Sequence, residues 1–182
     1  MTRLLTGLEE VKKYLNIGGE THDEVLQILV ESLSSAVEVY LGRFVIERII
    51  ETEFHFFDRP SKTMQTNFYP LKEVFEITLN SEKINLSMFN VDRTNGIIRK
   101  IEGSFLGTVC INYKTGIADT IQNVPKDIKL ALWHWIKHIY LKNEGNIKAE
   151  TLGDYSVSYG EYNDSMPEIT LDLLENYRKL GL

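Results

Sequence analysis

Two histidines, His134 and His138 in HWIKH, stand four residues apart, so on a helix both rings project from one face at the spacing of a two-histidine metal site. Zinc proteases of the H-E-x-x-H type need a Glu directly after the first His as general base, and here that position is Trp135. The other histidines are His22 and His55, and no third ligand stands close by in the sequence. A small metal-dependent hydrolase using His134 and His138 is one reading of the pair. Side chains snorkelling at the edge of a packed face, or touching a partner, are the other.

Further chemical signals are single fragments. Lys114-Thr115-Gly116 matches one element of the serine β-lactamases, but no Ser has a Lys three residues later, so a strand end turning at Gly is the expectation. Glu51 and Glu53 form an acidic pair on one expected strand face, which is the pattern of a solvated edge. The single cysteine, Cys110, excludes an intrachain disulfide and a cysteine-based zinc framework, and its apolar setting TVCINY points to core packing. There is no G-x-G-x-x-G, P-loop or G-x-S-x-G. The expectation is a protein with no catalytic residues, no cofactor and no metal.

Composition narrows the partners. A formal charge of −6 argues against gripping nucleic acid, whose affinity comes mostly from Lys and Arg neutralising phosphates. Nine Tyr, eight Phe and two Trp without interleaved basic residues suit a core and protein–protein surfaces. No apolar run approaches the roughly 20 residues of a membrane span, and MTRLLTGLEEVKKYL has no signal-peptide pattern, so the cytoplasm is the expected compartment of synthesis.

The elements that would position these residues fall into three stretches. Residues 1–43 hold two helices. Thr6-Gly7-Leu8-Glu9 fits a capping box, and Thr21-His22-Asp23-Glu24 repeats the signal. The second helix carries Val25, Leu29, Leu33, Ala36, Val37, Tyr40 and Leu41 as an apolar stripe and ends at Gly42. Residues 44–122 change to a period of two. Ile50, Thr52, Phe54 and Phe56 alternate with Glu51, Glu53 and His55, predicting a half-exposed strand with the first set inward. Asp58-Arg59-Pro60-Ser61 predicts a turn, and Asn95-Gly96 a hairpin.

Helical spacing returns in residues 123–182. Pro125 opens a helix with Ile128, Ala131, Leu132, Trp135, Ile136 and Ile139 on one side. ETLGDYSVSYGE follows, a lone strand with Tyr155, Val157 and Tyr159 of one parity. Met166-Pro167 starts a closing helix bearing Ile169, Leu171, Leu173, Leu174 and Tyr177. The fold class is α+β: a helical domain of about four helices with an inserted antiparallel β subdomain.

In this order the motifs resemble the head–tail connector, or adaptor, proteins of long-tailed bacteriophages and prophages. LTGLEEVKKYLNI and DEVLQILVESLSSAVEVYLGR are similar to that family's opening helices. VPKDIKLALWHWIKHIYLKNE resembles its Pro-initiated helix, ETLGDYSVSYGE its Gly-centred strand, and MPEITLDLLENYRKLGL its closing helix. Residues 67–118 resemble the β insertion of a longer branch. KNEGN departs from the Arg-containing helix end common in the family. The resemblance implies a structural subunit, not an enzyme, in a homo-oligomeric ring of about twelve copies in the virion neck. Such a ring docks under the portal protein, extends the DNA channel without sequence-specific binding, and presents a platform for the downstream stopper or tail protein. Another phage neck or tail-completion protein is the neighbouring alternative. The implied interface residues are Tyr155, Val157 and Tyr159 on the late strand, with Leu171, Leu174 and Tyr177 on the closing helix.

Overall fold

A computed structural model describes residues 3–144, 149–152, 155–158 and 166–179. The elements in chain order are α1 (Leu8–Leu15), α2 (Asp23–Leu41), β1 (Arg48–Ser61), β2 (Thr63–Gln65), β3 (Leu71–Leu79), β4 (Glu82–Lys83), a 3₁₀ turn (Leu86–Met88), β5 (Phe89–Asp92), β6 (Ile97–Lys100), β7 (Phe105–Thr115), a second 3₁₀ turn (Ile121–Asn123), α3 (Lys126–Glu144), β8 (Ala149–Leu152), β9 (Tyr155–Ser158) and α4 (Glu168–Glu175). This is the α+β class expected, with four α-helices among the described residues. The chain divides into two compact units, one built from residues 1–41 with 125–180, the other from residues 42–124.

In the first unit, α2 and α4 both pack on α3. The α2 stripe that goes inward is Leu26, Val30, Leu33, Val37 and Leu41. It is rotated from the expected one, and Val25 is left 47% exposed. The helix is apolar around much of its circumference, so spacing alone does not choose between overlapping stripes. Ser34 on the buried stripe is satisfied by accepting from the Leu5 N–H at 3.2 Å. On α3 the buried side chains include Ile128, Ala131, Leu132, Ile136 and Tyr140, whereas Trp135 is only half-buried.

The cap of α1 also lies one residue later than the sequence suggested. Gly7 is the N-cap, and Glu10 rather than Glu9 reaches back, accepting from the Gly7 N–H at 3.2 Å and from the Thr6 hydroxyl at 2.7 Å. Thr6 in turn accepts from Trp133 Nε1 at 2.8 Å, and Glu10 pairs with the buried Lys129 at 2.7 Å. A capping carboxylate thus ties α1 to α3, which satisfies a buried ammonium that would otherwise be costly.

The second unit is a pair of small antiparallel sheets, ordered β1-β7-β3-β4 and β2-β6-β5. Between them lies a core of Met64, Leu71, Ile77, Phe89, Ile98, Phe105, Val109, Ile111 and Tyr113. Each fully buried large apolar side chain in it contributes about 1.5–3 kcal/mol of burial. The expected Asn-Gly hairpin joins β5 to β6. Gly96 sits at φ 68°, and Asp92 caps the turn through the Thr94 and Asn95 N–H groups at 3.1 and 3.2 Å.

Two expectations for β1 fail for one reason. Ile50 pairs with Tyr113 while Glu53 pairs with Ile111, so β1 carries an extra residue there relative to β7. The bulge reverses the alternation beyond it. Glu53 turns inward and is buried, while Phe54 and Phe56 are 66% and 75% exposed. Asp58-Arg59-Pro60-Ser61 is no turn either: β1 runs through it to Ser61 with a second register shift after Phe57.

Cys110 also departs from expectation. It lies on β7, where it pairs with Phe54 of β1 and Thr78 of β3, and is half-buried rather than in the core, because the inward set of β7 is Phe105, Val109, Ile111 and Tyr113.

Candidate interface surfaces

The histidine pair sits on α3, where His134 is half-buried. Its Nδ1 lies 3.2 Å from the Tyr14 hydroxyl, and the two rings meet edge to face. Burial, followed by the nearby Lys137 charge, moves the His134 imidazole below its ordinary pKa and favours the neutral ring. Among the described residues, no group of three His, Cys, Asp or Glu is placed to hold a metal ion.

The Lys114-Thr115-Gly116 fragment is a strand terminus. Lys114 Nζ pairs with Glu47 at 2.5 Å, and the Thr115 hydroxyl donates to the Pro70 carbonyl at 2.9 Å. A Cβ on Gly116 would stand 2.5 Å from Glu47 Cα, so glycine is required by the close backbone approach.

The late strand is not alone. β9 pairs antiparallel with β8, setting Ala149 opposite Ser158, Glu150 opposite Val157, Thr151 opposite Ser156 and Leu152 opposite Tyr155. Tyr155 and Val157 therefore lie in the second strand of a separate two-stranded sheet. Tyr159 falls outside the described residues. On α4, Leu171 is half-buried, and the half-buried Tyr177 donates to Asp127 at 3.4 Å. Leu174 is fully buried and belongs to the core of its unit.

The surface that alternation alone does not reveal is on the β-sandwich. Phe54 and Phe56 stand outward on β1, an edge strand of its sheet. Their outward direction is fixed by what Glu53 holds on the other side. Glu53 accepts from the Tyr113 hydroxyl, from His55 Nε2 at 2.6 Å and from the Asn67 N–H at 2.8 Å. Burial pushes its carboxyl pKa up, but the hydrogen bonds from His55, Tyr113 and Asn67 outweigh it and hold the group below the ordinary carboxylate value. Burial and the Glu53 carboxylate raise the Tyr113 phenol well above its usual value, keeping it a neutral donor.

Within the same sandwich the two sheets part between β3 and β5. They are bridged there by one backbone bond from Leu71 N to the Arg93 carbonyl at 2.7 Å. A cleft of about 300 Å³ opens between them, lined by Val74, Ile77, Leu86, Phe89 and Val91, with Glu73 and Arg93 as its charged members. The sandwich is closed on the β1–β2 side, where β1 leads directly into β2 and Lys100 N donates to the Lys62 carbonyl at 2.9 Å.

Comparison with known proteins bears on what such surfaces serve. One solved structure with the same fold is a chain in the neck of an empty GTA particle computed with C6 symmetry. It has 15% identity and a TM-score of 0.66, with 98% of this chain and 91% of that one covered. A chain in the neck of a native GTA particle computed with C12 symmetry is 14% identical, with a TM-score of 0.63 and coverage of 100% and 97%. A chain in the virion of the native gene transfer agent particle is 16% identical, with a TM-score of 0.65 and coverage of 98% and 91%. No curated protein sequence matches the chain significantly. The profile described as head completion protein matches residues 4–180, almost the whole length, which bears out the resemblance to phage head–tail connectors; the chain belongs to the head completion protein family.

Proposed function

We propose that this protein is a structural subunit of the ring in the neck of a phage-like particle. It docks beneath the portal, extends the DNA channel and forms the platform to which the tail attaches. The observation that carries this reading is the head completion family match over residues 4–180, in a fold shared across 98% of the chain with a neck protein of the gene transfer agent particle. Symmetric necks among the fold relatives support a closed ring of about twelve copies, each offering two different faces to its neighbours. The net charge of −6 suits a channel that DNA must cross without sticking.

Electron microscopy of particles made by the encoding phage or prophage with this gene disrupted tests the reading. DNA-filled tailless heads beside free complete tails, restored by complementation, are expected. Normally tailed particles would overturn it. Heads joined to incomplete tails would instead favour a tail-completion role.

A further inference from the structure

The Asn95-Gly96 turn carries a chemistry that its structural role does not use. Asn-Gly is the dipeptide at which an asparagine amide is most easily lost, because no side chain shields the glycine nitrogen, and it occurs once in this chain. Asn95 is exposed to the water that the reaction consumes. The turn cannot dispense with the glycine. Gly96 has φ 68°, and a Cβ there would stand 2.5 Å from Thr66 Oγ1 and 2.9 Å from Tyr69 Cβ.

The reaction closes a ring. The Gly96 nitrogen gives its proton to hydroxide and bonds to Asn95 Cγ. The Cγ–Nδ2 bond breaks, and ammonia leaves with a proton taken from water, which restores the hydroxide. Water then opens the succinimide at either carbonyl. Attack at Cγ gives aspartate at position 95, and attack at the main-chain carbon gives isoaspartate, whose backbone runs through the side chain.

The fold opposes each part of that closure. Asn95 Nδ2 donates to Asp92 Oδ2 at 2.8 Å and the Asn95 N–H donates to Asp92 Oδ1 at 3.2 Å, so one carboxylate holds both the leaving nitrogen and the backbone of the same residue. The Asn95 carbonyl accepts from Gln65 Nε2 at 3.2 Å, and the Gly96 carbonyl accepts from the Thr66 N–H at 2.9 Å. The chain is thus pinned on either side of the attacking nitrogen. Hydrogen bonds from the Asn95 side chain and backbone keep the Asp92 carboxyl below its ordinary pKa. Its negative charge disfavours the anion that must form at the Gly96 nitrogen.

We propose that Asn95 is the deamidation site of this chain and that Asp92 is the positioning residue that keeps it unreacted while β5 and β6 are paired. Isoaspartate lengthens the backbone of the turn by one carbon and draws the Gly96 carbonyl off Thr66. The modification, once made, therefore loosens the β5–β6 hairpin from the segment that follows β2. The inference is independent of the connector reading.

The test ages the purified full-length chain at mildly alkaline pH and follows position 95 by peptide mass spectrometry and an isoaspartate methyltransferase assay. The wild type in urea is expected to lose the Asn95 amide first among its asparagines, and about tenfold or more faster than the folded wild type. Another asparagine reacting first in urea overturns the site, and equal rates in the two states overturn the protection. Folded Asp92→Ala is expected to react at Asn95 about fivefold or more faster than the wild type, the effect of losing a charged hydrogen bond. Asp92→Asn keeps an acceptor oxygen for the turn, and with it the hairpin, and is expected to react faster as well. Wild-type rates in these variants overturn the role of Asp92. Tyr113→Phe weakens the same sandwich without touching the turn and is expected to leave the Asn95 rate unchanged. A rate in Tyr113→Phe as high as in Asp92→Ala would assign the protection to the sandwich as a whole and overturn the role of Asp92.

Discussion

The phenol of Tyr113 donates to the carboxylate of Glu53 across two paired strands, joining residues 60 positions apart at the centre of the β-sandwich. This bond and its two companions from His55 and Asn67 give an inward carboxylate a complete set of partners. They also explain why the neighbouring phenylalanines face outward: with Glu53 inside, a strand has no choice about Phe54 and Phe56.

Removing one side of that bond is expected to cost stability without collapsing the core. Tyr113→Phe keeps the ring and loses the donor, for a loss of about 1–3 kcal/mol. Glu53→Ala leaves three donors without their acceptor and is expected to cost more. Urea denaturation of the two variants beside the wild type measures both losses, and changes below about 0.5 kcal/mol would contradict the network.

Acid titration should report the same carboxylate. Glu53 is held below its ordinary pKa in the folded chain, so the unfolded chain binds more protons in the window between the two values. Its contribution is fully present above the ordinary glutamate pKa and is lost as pH falls through the folded value. Stability measured from about pH 6 down to pH 3 is expected to fall less steeply in Glu53→Gln than in the wild type. Parallel profiles would mean that Glu53 is not the group responsible.

The outward placement of the two phenylalanines has a direct thermodynamic test. Phe54→Thr and Phe56→Thr keep good strand formers at exposed positions, and each is expected to change stability by no more than about 0.5 kcal/mol. Were the rings in the core, as simple alternation suggests, truncation would cost about 3–5 kcal/mol. Guanidinium melts of the two variants distinguish these cases clearly.

In the first unit, Glu10 and Lys129 are expected to act together. Glu10 caps α1 and neutralises an ammonium that is almost inaccessible to water. Burial raises its carboxyl pKa, but hydrogen bonds from Lys129, Thr6 and Gly7 more than reverse that. A double-mutant cycle of Glu10→Gln and Lys129→Met should give a coupling of about 1 kcal/mol, with each single variant destabilised. Additive effects would show that the two side chains are close without being coupled.

The helices and most strands were legible in the sequence because their signals are local. Pro125 before α3, Gly42 after α2 and Asn95-Gly96 between β5 and β6 each act through their own backbone geometry. The family resemblance was legible for the same reason, since it rests on the order of those elements. What alternation missed was a register fact. The bulge after Ile50 depends on how β1 meets β7, a strand encoded more than 40 residues later, and no residue in IIETEFHFF marks it. The only hint was chemical: a Glu and a His two apart, followed by a partner-seeking Tyr on another strand. The partner of β9 was missed because AETL is short and lacks an alternating apolar set. The β3–β5 cleft arises from strands that diverge in space, which hydrophobic periodicity cannot express.

Chain order in this architecture also dictates a sequence of events during synthesis. The first unit needs α3 to cover α2, yet the whole β-sandwich is encoded between them. A ribosome adds about 5–20 residues per second, so the Leu26, Val30, Leu33 and Val37 stripe waits several seconds for its cover while the sandwich emerges and can fold. The nascent chain therefore passes through a stage with one finished unit and one sticky amphipathic helix upstream of it. Slow translation between Gly42 and Val124 would lengthen that exposure, making chaperone demand and aggregation depend on synthesis rate in a way that the stability of the finished protein does not reveal.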